Sequence, residues 1–319
     1  MSVENFTYTG SPWGYTAPGW TVFQRSRGIS PKAAESLMPY FRYSGGVGDP
    51  VKFVYAGSSP QGARIVAQSQ DCGLRWYDES RGHDYFAHVF CEDSPKKLKA
   101  DFNPMSLFLS PDIKTSFPAE LKRKASEIMK GQRAREEPPL LDSFSSFSEL
   151  QSNPAFSGYA VFSQGRLSQR SVARLSSAAA AIVNRLSNPV GRPLLFDIAN
   201  QNSLNVMAAA LGVIPPALRH SVSFATFAAT EEIVANSPFA TFTFVGVKAQ
   251  SGMCDPDTGI LGDLPDAGFE FSNAAEAAQF ARIVNATVDV PGMDGFGALM
   301  FIADVVGKFR KGAYNGKQY

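Results

Sequence analysis

Aromatic and polar positions alternate through residues 5 to 30, with turn signals at Ser11-Pro12-Trp13-Gly14 and Ala17-Pro18-Gly19. Alternation is the two-residue period of a strand with one buried face, so Trp20 to Ser26 reads as a strand and the opening as a β-hairpin. At Ser30-Pro31 the period changes to that of a helix. A Ser side chain caps free N–H groups, Pro is tolerated in the first turn, and Ala34, Leu37, Met38 and Phe41 follow at helical spacing. The run Gly45-Gly46-Val47-Gly48-Asp49-Pro50 stops that helix. Strand-like runs at Val51 to Ala56, Ala63 to Gln68 and Tyr85 to Phe90 come next, divided by Gly-, Ser- and Asp-containing turns. They predict an antiparallel sheet flanked by a helix.

The pattern changes again after Lys96. Pro118 to Arg135 has the spacing of a basic amphipathic helix, stopped by Glu136-Glu137-Pro138-Pro139, and Leu140 to Ser157 reads as a surface connection. A strand is predicted at Tyr159 to Ser163 and an Ala-rich helix from Ser168 to Leu186. Arg192 to Ile198 has the apolar run of a strand buried on both faces, followed by a helix at Ser203 to Leu211. Pro215-Pro216-Ala217-Leu218-Arg219 turns into a strand at Ser221 to Phe227, and Phe239 to Val247 reads as another. Helices are predicted at Asn273 to Val284, capped by Ser272, and at Phe296 to Phe309. The expected class is α/β: an N-terminal α+β antiparallel-sheet domain over 1–155, with a basic helical segment at 96–135, then an α/β domain over 156–319 with a partly parallel sheet.

Composition narrows the class of function without selecting one. Thirty Lys plus Arg against twenty-nine Asp plus Glu leave a formal charge of +1, which removes the global pull of a generic nucleic-acid or anionic-membrane binder. No apolar stretch approaches the ~20 residues of a membrane span, and the N-terminal residues lack the basic start and apolar run of a signal peptide. Three cysteines, Cys72, Cys91 and Cys254, are too few and scattered for a disulfide scaffold, so a reducing cytoplasmic setting is expected. The near-zero sum conceals segregation. Residues 96 to 135 carry ten Lys or Arg against four acids, and 250 to 304 carry nine acids and one Arg. Separated patches of this kind suit docking onto a partner protein, though two surfaces folding against each other would give the same pattern. Nucleic acid at 96–135 stays open.

Candidate chemistry is sparse. Cys72, His83, His88 and Cys91 are the ligand types of a tetrahedral zinc site, yet their spacing departs from the usual close pairs. Cys91 or Cys72 with His88, oriented by Asp84, would alternatively make a nucleophilic thiol pair. Asking least of the residues, His88 and Cys91 simply end a half-buried strand, and the sequence favours that. The glycine loop at 45–49 follows a helix and precedes a strand, the reverse of a phosphate loop, and no G-x-x-x-x-G-K-[ST] occurs. Cys254-Asp255-Pro256-Asp257-Thr258-Gly259 lacks the ligands of a calcium loop and reads as a tight turn. Arg166, Arg170 and Arg174 recur every four residues and would form one basic stripe on a continuous helix, either solvated or holding an acidic partner. No cofactor is called for.

Three stretches resemble the N-terminal and middle regions of bacterial GTPase-associated proteins, components found beside a dedicated GTPase in predicted anti-phage conflict systems. They are the aromatic hairpin Tyr8 to Ser30, ending in Gln24-Arg25-Ser26-Arg27-Gly28-Ile29-Ser30, the segment Arg81-Gly82-His83-Asp84-Tyr85-Phe86-Ala87-His88-Val89-Phe90, and Ile214 to Thr226. The resemblance implies a partner or adaptor role next to a GTPase, with no catalytic residues to carry over. The expected function is thus a non-enzymatic, cytoplasmic adaptor docking through charged surfaces, with Lys122, Arg123, Lys124, Arg166, Arg170 and Arg174 as partner-binding residues. A cysteine- or zinc-dependent enzyme is the alternative, and a structural subunit of a phage or secretion assembly the second.

Overall fold

A computed structural model describes residues 2–286, apart from 16–18, 58–61, 78–81, 97, 100–101, 135, 157–159, 188–189 and 250–253. The helix expected at Phe296 to Phe309 lies outside the described residues. The protein is α/β: among the described residues, helices accompany eight strands paired in both antiparallel and parallel fashion. Its described residues divide into two compact units, one within 1–96, 111–151 and 227–229, the other within 98–110, 152–226 and 230–286.

In the first unit, strands β1 (Glu4–Ser11) and β2 (Gly19–Arg25) form the expected hairpin, and β3 (Lys52–Ala56), β4 (Arg64–Leu74) and β5 (His83–Glu92) complete an antiparallel sheet in the order β2-β1-β5-β4-β3. Each face of the sheet buries aromatic rings. Phe6 and Tyr8 meet Phe41 with ring centroids 5.5 and 5.1 Å apart. Phe86, beside Tyr8's cross-strand partner Ala87, points to the other face and joins Trp13, Phe23 and Phe117.

The helix expected from Ser30 to Phe41 is two. Ser30 caps α1 (Pro31–Ser36) by accepting the Ala33 N–H at 3.1 Å, and α2 (Met38–Phe41) starts afresh after Leu37. Pro39 is the reason, because it has no N–H for the preceding turn and its ring crowds the carbonyl four residues back. Helix α3 (Ala119–Met129) seats Leu121 and Ala125 in the Trp13–Phe23–Phe86–Phe117 cluster. It stops short of the expected Arg135 because Gly131 turns the chain at φ 68° and its N–H bonds back to the Ile128 carbonyl. The run from Leu140, expected as a surface connection, is stitched to the sheet: Val3 and Phe144 exchange backbone bonds of 2.6 and 3.1 Å, Leu141 N–H donates to the Arg25 carbonyl, and Phe147 and Leu150 are buried.

In the second unit, the strand expected at Tyr159 to Ser163 is a helical turn, α4 (Ala160–Ser163), with Val161 and Phe162 buried; Tyr159 lies outside the described residues. A four-residue apolar run carries no period that separates the two states. The Ala-rich helix is divided into α5 (Gln169–Ala173), capped by Ser168, and α6 (Leu175–Ser187). Strand β6 (Leu194–Asp197) was expected to be buried on both faces, but only Phe196 is fully buried. It pairs in parallel with β8 (Phe244–Val247), and β7 (Ser223–Ala228) flanks β8 on the other side, giving the order β7-β8-β6. The strand expected from Phe239 begins only at Phe244, since Pro238–Thr241 makes a 3-10 turn capped by Ser237.

Between the strands run α7 (Ser203–Val213), α8 (Pro216–Ser221) and α9 (Glu231–Ala235). Helix α10 (Ala274–Ala286) takes its cap from Asn273 rather than the expected Ser272: Asn273 Oδ1 accepts the Glu276 N–H at 2.9 Å, while the Glu276 carboxylate accepts the Ser272 N–H. Helix α6 packs on α7, and α10 on α4 and α7. Phe224 stacks on Phe244 at 4.7 Å beneath them. No helix among the described residues is long and apolar enough to cross a membrane.

Arg219 fastens this unit. Only 1% exposed, its guanidinium donates to the carbonyls of Phe102, Gly212 and Ile214 and to Asn285 Oδ1 at 2.5 to 3.5 Å, so one side chain serves the end of α7, the segment before it in space and α10. Arg219→Met leaves buried acceptors without donors and should destabilise this unit by about 2–4 kcal/mol, read as a lower midpoint in urea denaturation.

Candidate functional site

Sheet register decides the fate of the thiol and imidazole candidates. His88 on β5 stands opposite Thr7 and Gln68, whereas Cys91, three residues on, pairs with Glu4 and Ile65 and points to the other face. Both ring nitrogens of His88 are committed. The Lys114 backbone N–H donates to Nδ1 at 2.9 Å, so Nε2 carries the hydrogen and donates to Asn5 Oδ1 at 3.2 Å. Burial, helped by the Lys114 charge, pushes the imidazole down to about 3, which keeps it neutral. The Cys91 thiol donates to Asp93 Oδ1 at 3.5 Å, and burial followed by Asp93 pushes it up to about 12. The expected thiol pair of Cys91 with His88, oriented by Asp84, is therefore corrected. The pair sits on opposite faces of one strand, with a base that has no free lone pair.

The zinc grouping of Cys72, His83, His88 and Cys91 is corrected for the same reason. Cys72 is exposed near the end of β4, His83 is exposed with Nδ1 3.1 Å from Asp71 Oδ2, and the other two lie further along β5 on opposite faces. Among the described residues no group of three or more His, Cys, Asp or Glu is placed to hold a metal ion. Although Cys72 keeps exposed surface, the atoms crowded around its thiol, and after them Asp84, push it up to about 11, so it too stays protonated at neutral pH.

The basic candidates divide between the two units. On α3, Lys122 and Lys124 are half-buried and Arg123 is 66% exposed; Arg123 pairs with Glu127 at 2.8 Å and Lys124 with Glu120 at 3.5 Å, each one helical turn away. The stripe expected of Arg166, Arg170 and Arg174 does not form, because only Arg170 lies within α5. Arg166 sits over the Phe156 ring, 5.9 Å from its centroid, and Arg174 pairs with Asp255 at 3.0 Å. That last contact joins an arginine of the expected stripe, not of the basic segment 96–135, to the acidic C-terminal region. Asp255 also accepts the Thr258 N–H at 2.9 Å, closing the tight turn expected there.

A different site emerges in the first unit, where a cavity of about 370 Å³ opens beside the β1–β2 hairpin and α2. Tyr8, Trp20, Tyr43 and Tyr85 give it aromatic walls, with Trp20 and Tyr85 stacked at 4.2 Å. Asp84, only 4% exposed, also lines it. Its Oδ1 accepts the N–H groups of Gly10 at 3.1 Å and Tyr85 at 3.2 Å, while Oδ2 is buried with no hydrogen-bond partner. Burial raises its pKa, opposed by the Arg75 charge and the two N–H bonds. Gly10 makes the placement possible, since a Cβ there would stand 2.5 Å from both carboxylate oxygens. Arg42 follows α2 at the cavity edge. Its carbonyl accepts Lys52 Nζ at 2.7 Å, and its exposed guanidinium has no hydrogen bond or ion pair among the described residues. Sequence reasoning reached Asp84 only as an orienting group and missed the rest; the density of Tyr and Trp in the opening hairpin was the available signal. No protein-family model, curated protein or solved structure matches the chain.

Two measurements check this assignment of His88 and the thiols. The unfolded chain protonates His88 near 6.5 and the folded chain only near 3, so stability should fall as pH drops through that window. In His88→Gln, which retains an acceptor for Lys114, the fall measured by urea denaturation across pH 6.5 to 4 should be shallower by up to about 1.4 kcal/mol per pH unit. Alkylation of native protein at pH 8 should leave Cys91 unmodified until denaturant is added; rapid native labelling would restore the thiol-enzyme reading.

Proposed function

We propose that the chain is a non-enzymatic partner or adaptor subunit of a multicomponent bacterial assembly of the defence type, acting in the cytoplasm beside a GTPase or another protein. Helix α3 is the observation that carries this reading. Its apolar side is locked into the Trp13–Phe23–Phe86–Phe117 cluster, so the sequence Lys122-Arg123-Lys124 is held on a rigid support with Arg123 outward. A fixed charged surface favours oriented encounter, because complementary potentials set approach and register more than raw affinity. The internal pairs to Glu127 and Glu120 temper the positive patch and leave it suited to a selective protein contact rather than to a polyanion. The resemblance of the hairpin, the β5 segment and the α8–β7 segment to GTPase-associated proteins supplies the kind of partner. The neutral His88 and protonated Cys91 support a role without thiol chemistry.

Affinity capture of the full chain from its native cell should return a GTPase or another subunit in near-stoichiometric amount. Reversing Lys122, Arg123 and Lys124 to Glu should lower that recovery by about tenfold or more with unchanged circular dichroism. Recovery of this chain alone, or capture indifferent to the reversal, would overturn the proposal.

A further inference from the structure

Two groups of opposite charge line the aromatic cavity of the first unit, one buried and one exposed. Asp84 Oδ2 is an acceptor buried without a donor, a costly arrangement that native structures retain mainly where a ligand, water or function completes it. Arg42 presents an exposed guanidinium at the same cavity, with no hydrogen bond or ion pair among the described residues. The two lie within electrostatic reach of one hydroxyl: the Tyr85 phenol is raised above its usual range by burial and then by Tyr8, with Arg42 opposing and Asp84 adding to that rise. Between them, the walls are Tyr8, Trp20, Tyr43, Tyr85 and the Met38 thioether, surfaces that favour a flat or bulky apolar body. The Tyr43 hydroxyl is already spent on the Asp49 and Pro50 carbonyls at 3.2 and 3.0 Å, so that ring presents its apolar surface to the cavity.

From these features we infer that the cavity binds a small zwitterion of the α-amino-acid class with an aromatic or large apolar side chain, its ammonium donating to Asp84 Oδ2 and its carboxylate meeting Arg42. A carboxylate matches the planar fork of a guanidinium, and an ammonium supplies the donor that Asp84 lacks. The volume of about 370 Å³ lies within the range of small-ligand pockets, and an apolar lining with a few convergent polar groups is their usual construction. Asp71 and His83 close one side as a pair of their own, Nδ1 to Oδ2 at 3.1 Å, and need no ligand. The site does not depend on the protein-partner reading, since amino acids are titrated into the isolated chain whereas partner capture is read from α3 variants.

Isothermal titration of the full chain with L-phenylalanine, L-tryptophan, L-leucine and L-methionine tests it. At least one should saturate with a dissociation constant on the order of 1 mM or tighter. For the best binder, the amide, which lacks the carboxylate, and the N-acetyl derivative, which lacks the ammonium, should each bind about tenfold more weakly or worse. Asp84→Asn should abolish the penalty for N-acetylation and leave the penalty for amidation, and Arg42→Ala should do the reverse. Arg42 is exposed, so that arm stands even if the Asp84 variant fails to fold. Lack of saturation by any of the four up to about 20 mM overturns the inference, as does an amide that binds better than the free amino acid, which would make this a plain cation site. Tight binding of adenosine monophosphate in their place would likewise replace it with a nucleotide site.

Discussion

Burying His88 with both ring nitrogens bonded ties together stretches of chain far apart in sequence: β1 through Asn5, its own strand β5, and the segment leading into α3 through the Lys114 backbone. The seam continues on either side. Asn5 Nδ2 donates to the Asp142 carbonyl, Lys114 Nζ reaches Gln24 Oε1 at 3.3 Å, and the Gln24 N–H donates to Thr7 Oγ1 at 3.1 Å. A buried polar network is tolerable only when its members are satisfied, and here the bonds at Lys114 and Asp142 draw the returning chain of 111–151 onto the sheet. That docking seats α3, and α3 in turn fixes the face on which Lys122, Arg123 and Lys124 stand. A histidine that looks like chemistry in the sequence is thus the fastener of the first unit.

Arg219 plays the corresponding part in the second unit by different means. A helix end leaves its last carbonyls without intrahelical donors, and α7 ends among apolar neighbours where water does not replace them. The Arg219 guanidinium supplies those donors from α8 and also donates to the Phe102 carbonyl and to Asn285 Oδ1. Among its acceptors are the backbone carbonyls of Phe102, Gly212 and Ile214 and the side-chain oxygen of Asn285.

The cavity at Asp84 differs from the His88 network in being incomplete. Both ring nitrogens of His88 are bonded, whereas Asp84 keeps one oxygen without a donor and the Arg42 guanidinium has no hydrogen bond or ion pair among the described residues. The alternating hairpin was legible in the sequence, as were Ser30 as a cap and the three strands after it. The cavity was not, because the β1–β2 hairpin with Tyr8 and Trp20, the segment after α2 with Arg42 and Tyr43, and β5 with Asp84 meet only in the folded chain. The zinc and thiol groupings failed on the same ground in reverse. Cys91 and His88 are close in sequence, and a strand's two-residue period sends them apart.

Local periodicity and end signals, which depend on neighbouring residues, determined most of the elements of this protein by sequence alone: the hairpin, strands β3 to β5, α6, α7 and α10, and the α/β class they compose. Where a run was short or interrupted, as at Pro39, Tyr159 to Ser163 and Phe239, neighbours did not suffice, because packing arbitrates between states of nearly equal local energy. Every statement about a site waited for the tertiary structure. Whether a titratable side chain is a catalyst, a fastener or half of a binding pocket depends on what stands opposite it across the sheet, and that is set by pairing between segments tens of residues apart.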